Sequence, residues 1–211
     1  MKAIISALAL VGACIPAAVL AQDSSEDETD YVAPSKAKAG LRVEGRLFYE
    51  RIDDPVDEEN VVYEFGNGVG AGVEAGLDFA VGDGVVVGPY FTYDFSSLET
   101  CEAGLCFAAP QYWATGVHVG FTSGESGLIY GKLGYGQQKV TVQGTFDDPD
   151  FGTVTVDEEE TGTGYNFAFG YEHGFGETLY VRGEVGVSES SDIYGFDLQR
   201  GTIALSVGAR F

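Results

Sequence analysis

Chemistry needs carboxylates, histidines, thiols or a phosphate-cradling loop, and this sequence offers each of them. The runs DDPVDEEN (53–60) and FDDPDFGTVTVDEEE (146–160) carry the oxygen ligands that Ca²⁺ or Mg²⁺ would take. No starting position sets Asp and Gly where an EF-hand loop needs them. The simpler reading is a solvated, self-repelling surface, with divalent cations bridging weakly to anionic surface glycolipid as the alternative. A hydrolase would need a nucleophile, a base and an orienting group to converge. His118 falls in a strand pattern and His173 at a turn, on opposite rims, so no triad is evident and His118 reads as part of an internal polar network. GVGAGVEAG (68–76) looks like a phosphate loop, which requires a strand before it and a helix after it. Here period-2 alternation continues through Phe79, so these glycines are spacers within a strand. Cys101 and Cys106 lack the neighbouring histidines of a zinc site and suit a loop disulfide in an oxidising compartment. No catalytic residue, cofactor or metal site is expected.

The charges that do form a pattern lie in strands. In LRVEGRLFYE (41–50) the odd positions are Leu41, Val43, Gly45, Leu47 and Tyr49, while Arg42, Glu44, Arg46, Phe48 and Glu50 alternate with them. Such a period is that of a β-strand with two unlike faces. The same parity recurs along the chain. Even positions collect Arg42, Arg46, Lys132, Arg182, Arg200 and Arg210 against Glu44, Glu50, Glu74, Asp78, Asp94, Glu172 and Glu184, with His118 among them. This face is close to neutral, although the chain has 33 acidic and 11 basic residues and a net charge of −22. Balance on one face alone means that its charges meet one another. The odd face carries no charge through the middle of any strand.

The elements that must hold these residues are eight strands, at about 40–52, 65–82, 85–96, 111–122, 127–142, 161–173, 178–188 and 197–211. Short turns at Gly82-Asp83-Gly84, 122–126 and 174–177 alternate with longer, mostly acidic connections at 53–64, 97–110, 143–160 and 189–196. That alternation marks an up-and-down antiparallel meander. Abundant aromatics, 31 Gly and only 6 Pro agree with an all-β domain of many turns. The acidity disfavours nucleic acid, whose phosphates it would repel.

The N-terminus MKAIISALALVGACIPAAVLAQ has a signal-peptide layout: Lys2, an apolar run from Ala3 to Ile15, and the small-residue site Val19-Leu20-Ala21. An uncleaved anchor is the alternative, and LVGAC (10–14) faintly matches a lipoprotein box. Residues 22–38 read as a flexible acidic segment, and 39–211 as one barrel domain.

Two architectures carry such strands. A soluble barrel would turn the charges to water, where neither balance nor glycine spacing is needed. A membrane barrel turns them inward. Eight strands enclose just enough room for side chains, a lone enclosed charge is costly, and glycines make space for long ones. Tyr49, Tyr93, Trp113, Tyr135, Tyr165 and Tyr171 near strand ends suit interfacial girdles. The expected fold is therefore all-β, an eight-stranded antiparallel up-and-down transmembrane β-barrel. It is expected to be a monomer in contact with outer-membrane lipid.

VGPYFTYDF (87–95), LIYGKLGYG (128–136), LYVRGEVGV (179–187) and the ending ALSVGARF (204–211) resemble the small outer-membrane β-barrels of Gram-negative bacteria, the OmpA-like transmembrane and opacity-type "porin family" proteins. The resemblance covers about 39–211. It implies a location in the cell outer membrane and a C-terminal aromatic, Phe211, read by the outer-membrane assembly machinery. Ala209 departs from that signal, in which an aromatic residue is usual two places before the end. No peptidoglycan-binding domain follows residue 211, so a cell-wall tether is not expected. A structural or surface-interaction barrel is the reading; a narrow solute or ion channel is the alternative, and a barrel enzyme is the third class.

Overall fold

The computed structural model describes residues 38–54, 63–102, 104–148 and 152–211. The leader, most of the acidic segment 22–38, and the centres of the 53–64 and 143–160 connections lie outside the described residues. The strands are β1 (Gly40–Asp54), β2 (Tyr63–Gly82), β3 (Val85–Ser96), β4 (Glu99–Glu102), β5 (Leu105–Ser123), β6 (Gly127–Asp148), β7 (Gly152–Phe175), β8 (Leu179–Ile193) and β9 (Phe196–Arg210). They pair antiparallel in the order β3-β2-β1-β9-β8-β7-β6-β5-β4, and β3 also pairs with β5. That last pairing closes an eight-stranded barrel and leaves β4 as a flap on its β5 edge. Leu41 and Phe211 exchange backbone hydrogen bonds of 3.0 and 2.9 Å, so the first and last strands meet at the short-turn rim.

The faces are inverted relative to a soluble protein. Along β1 the residues from Arg42 to Ile52 alternate buried with exposed, the buried set being Arg42, Glu44, Arg46, Phe48, Glu50 and Ile52. Outside, Leu47, Leu133, Leu205 and Val207 are each more than half exposed. The short turns use left-handed glycines at Gly84 (φ 75°) and Gly124 (φ 66°), a conformation that costs other residues more.

Several expectations need correction. The connection at 97–110 is not a loop: it contains β4, and β5 begins at Leu105 rather than 111. Likewise β6 and β7 run on to Asp148 and from Gly152 as one long hairpin, since Thr141, Thr145, Val154 and Val156 are good strand formers. Both strands far exceed the roughly 9–11 residues that cross a bilayer, so the hairpin stands above the rest of the wall. Parity is also not uniform. Register shifts at Ile52/Asp53, Ala108/Gln111 and Ser190/Ile193 insert bulges near the long-connection rim. A one-residue shift exchanges the two faces, which turns Phe65, Phe107 and Ile193 toward the interior. There they join Ile52, Leu98, Ala109, Val140 and Leu198 in an apolar cluster above the charges.

Candidate functional site

The barrel interior holds the only dense array of ionic groups among the described residues. Every charged residue of the even face is buried, from Arg42 and Glu74 at 0% and 1% exposure to Glu184 at 8%. Glu74 sits at the centre. One oxygen receives Arg42 Nη1 at 2.8 Å and the other receives Lys132 Nζ at 2.7 Å, while Arg182 and Arg46 approach at 3.5 and 3.6 Å. Thr92 donates its hydroxyl to the same carboxylate at 2.8 Å. Lys132 also holds Glu184 at 2.6 Å. Arg182 lies 3.5 Å from Glu44.

Toward the short-turn rim, Arg210 donates to both oxygens of Glu172 at 2.7 and 3.0 Å and to Asp78 at 3.1 Å. Toward the other rim, Arg200 bridges Asp94 at 3.0 Å and Glu50, and Ser96 donates to Glu50 as well. Arg46 links this layer to the centre through Asp94 at 3.4 Å and Glu184 at 3.3 Å. Each carboxylate is therefore met by a cation, which is the condition under which buried ions persist.

His118 is fully buried in this array. Arg182 Nη2 lies 3.3 Å from its Nε2 and Asp78 Oδ1 lies 3.1 Å from its Nδ1. A guanidinium can only donate, so Nε2 presents a lone pair and the ring proton sits on Nδ1, facing the carboxylate. The expectation that the two histidines occupy opposite rims is wrong. His173 lies within β7, opposite Gly127, near the same short-turn end as His118, but on the outer face. The wall separates them, and among the described residues no nucleophile converges with either.

Two sets of interior residues are not among those expected from the sequence. Lys38, at the end of the segment expected to be flexible, is buried and reaches Ser126 O at 2.7 Å and Glu172 at 3.6 Å. It is a seventh buried cation, against eight buried carboxylates: the seven of the even face and Asp54 at the far end of β1. Its even number, continuing the parity of β1, is the signal that could have found it. The second set is aromatic. Tyr130 lies under Arg182 with the guanidinium 4.3 Å from the ring centre, and Tyr112 lies under Arg200 at 4.3 Å. Cations over ring faces are attracted by the ring quadrupole. These tyrosines share the charged parity, which marks them as interior. The strand glycines serve both sets: a methyl at Gly76 would lie 2.4 Å from Arg42 Nη2, and one at Gly170 2.5 Å from the Tyr130 ring.

Between Arg46, Asp94, Lys132 and Arg200 there is a void of about 10 Å³, at the lower limit for a single water molecule.

Outside the ring, Cys101 and Cys106 face each other across the β4–β5 hairpin and form a disulfide. The two thiols being joined, the only metal-ligating group among the described residues, Glu99 with these cysteines, lacks thiolate donors. The intact mass of unreduced protein should be two hydrogens below that of the reduced form, with no alkylatable thiol at either position. Reduction should leave the midpoint of barrel unfolding unchanged, because the ring closed is short and lies off the closed wall.

A family model described as "Outer membrane protein beta-barrel domain" matches residues 5–211. Among solved structures, the fold resembles Ail, the attachment invasion locus protein of Yersinia pestis, at 16% identity and a TM-score of 0.55, covering 82% of this chain and 99% of that one. It also resembles Neisserial surface protein A at 11% identity and a TM-score of 0.53, covering 82% and 98%. No curated protein matches the chain by sequence. With its ring closed by β3 on β5, its apolar residues outside and its charges inside, the chain belongs to the outer membrane protein β-barrel family.

Proposed function

We propose that the protein is a structural, surface-facing barrel of the Gram-negative outer membrane whose interior is closed to solutes. The observation that carries this reading is the stack of buried side chains inside the wall. A lattice of ion pairs, with a void of about 10 Å³ within it, lies beneath the apolar cluster of Ile52, Leu98, Val140 and Leu198. Export through the leader at 1–21, loss of that leader and insertion aided by Phe211 belong to the same proposal. So do the long connections facing outward and a monomer in direct contact with lipid. Divalent cations at the outer carboxylates would tie the rim to anionic lipid headgroups. The barrel needs no cofactor and, in this reading, catalyses nothing: His118 has no exposed face to offer a substrate.

Planar-bilayer recording of the purified barrel is the test. The expected result is a silent bilayer or rare, small openings. A large, steady, porin-sized conductance would replace the structural reading with that of a channel.

A further inference from the structure

Above the apolar cap, the mouth at the long-connection rim is hollowed into a cup of about 220 Å³. Its walls are Phe65, Phe107, Ile193, Tyr194, Phe196 and Leu198. Phe65 lies 5.0 Å from Phe107 and 5.8 Å, edge-on, from Phe196, so three rings bound one space. The volume exceeds the roughly 150 Å³ of an apolar cavity that takes up benzene. The buried residues beneath it make the cup blind, so a ligand can enter and leave only from outside.

Three further features mark the lining of the cup. Glu158 stands on its lining, and among the described residues it has no ion pair. Its neighbours are occupied: Glu159 is held by Lys139 at 2.7 Å, and Glu160 accepts the Tyr194 backbone N–H at 2.5 Å. The Tyr194 hydroxyl is buried and has no hydrogen-bond partner among the described residues. Burial, together with the carboxylates of Glu158, Glu160 and Glu159, raises that phenol above its usual range, so it keeps its proton. Finally, Tyr194 is held at φ 51°, beside Asp192 at 63° and Gly195 at 81°. Positive φ at both central residues is what a two-residue hairpin turn between Ile193 and Phe196 requires, and Asp192 lies in the bulge that precedes it. The turn places Ile193 and Tyr194 on the lining of the cup.

We infer that this cup binds an organic ammonium with an aryl or short alkyl body. The body would fill the space between the phenylalanines. The cationic head would lie by Glu158. Aromatic walls with an acidic rim attract cations twice, through the ring faces and through the carboxylate. The overall charge of −22 raises the local concentration of such ligands. The inference rests on the proposed function only in needing this rim to face outward, and it holds whether or not the lumen conducts.

The test is calorimetric titration of the full barrel in nanodiscs with 2-phenylethylammonium, empty nanodiscs serving as the partition control. Saturable 1:1 binding is expected, weakened by added salt. Glu158→Gln, on an exposed hairpin, should weaken it about fivefold, the scale of one exposed ion pair. 2-Phenylethanol should bind less well, and phenylacetate should not bind. The inference is overturned if no saturable heat appears above the empty-disc control. It is equally overturned if 2-phenylethanol binds as tightly as the ammonium and Glu158→Gln changes nothing.

Discussion

Replacing Glu74 by Ala should lower the unfolding free energy of the barrel by about 3–5 kcal/mol, the cost of leaving buried charge without its partner. Glu74 is fully enclosed and meets Arg42, Lys132, Arg182 and Arg46. Arg42 and Arg182 keep Asp78 and Glu172, but Lys132 is left with Glu184 alone. Thr92 loses its acceptor as well. Glu74→Gln should cost less, since an amide oxygen can still take the Thr92 hydroxyl. Removing Lys132 in the same chain should recover part of the loss, because residues in one network are not additive. The contrast is Arg51, about half exposed and paired with Asp53 and Glu64 on the outer surface. Its replacement by Ala should cost under about 1 kcal/mol. Urea titration in lipid vesicles, followed by the fluorescence of Trp113, measures all four variants. A Glu74→Ala loss below about 1 kcal/mol would mean that water reaches the lattice and screens it.

The second large effect is expected one residue away from Lys132, on the other side of the wall. Leu133 is 64% exposed and its register partners are Val117 and Phe167, in the middle of the apolar band. Leu133→Arg places a guanidinium in hydrocarbon and should cost about 2–4 kcal/mol. Phe175→Arg, beside the short turn on the same face, should cost about 0–1 kcal/mol, since the penalty falls toward the interface. The same vesicle titration reads both. Equal penalties at the two depths would contradict a membrane-spanning band centred on Leu133.

The adjacency of Lys132 and Leu133 also explains why so much of the fold is legible in the sequence alone. A strand assigns sides by parity, so one charged residue in β1 or β6 orients every neighbour two places away. The eight-stranded ring, the inward charges and the outward leucines all follow from that rule. The rule fails where a bulge suspends it. A bulge adds a residue without any marked change of composition, so parity puts Phe65, Phe107 and Ile193 on the wrong face. The interior tyrosines obey the rule: Tyr112 and Tyr130 have the even parity of the charges. What parity does not show is the guanidinium above each ring. Lys38 precedes the first strand residue, so only its even number, carried back from β1, hints at an interior place.

The seam between β1 and β9 joins the two ends of the domain, pairing Arg42 with Arg210 across nearly the whole chain. Contacts of such separation form late, because the intervening chain must already be ordered. Until β9 docks, Asp78 and Glu172 lack Arg210, and Asp94 and Glu50 lack Arg200. In a chain interrupted before its last strand Asp78, Glu172 and Asp94 would keep Arg42, Arg182 and Arg46, but Glu50 would lose its cation, and the open trough would be costly to dehydrate. The ion lattice thus ties cheap burial to completion of the ring: the final fifteen residues bring the cation that Glu50 lacks and those that Asp78, Asp94 and Glu172 share.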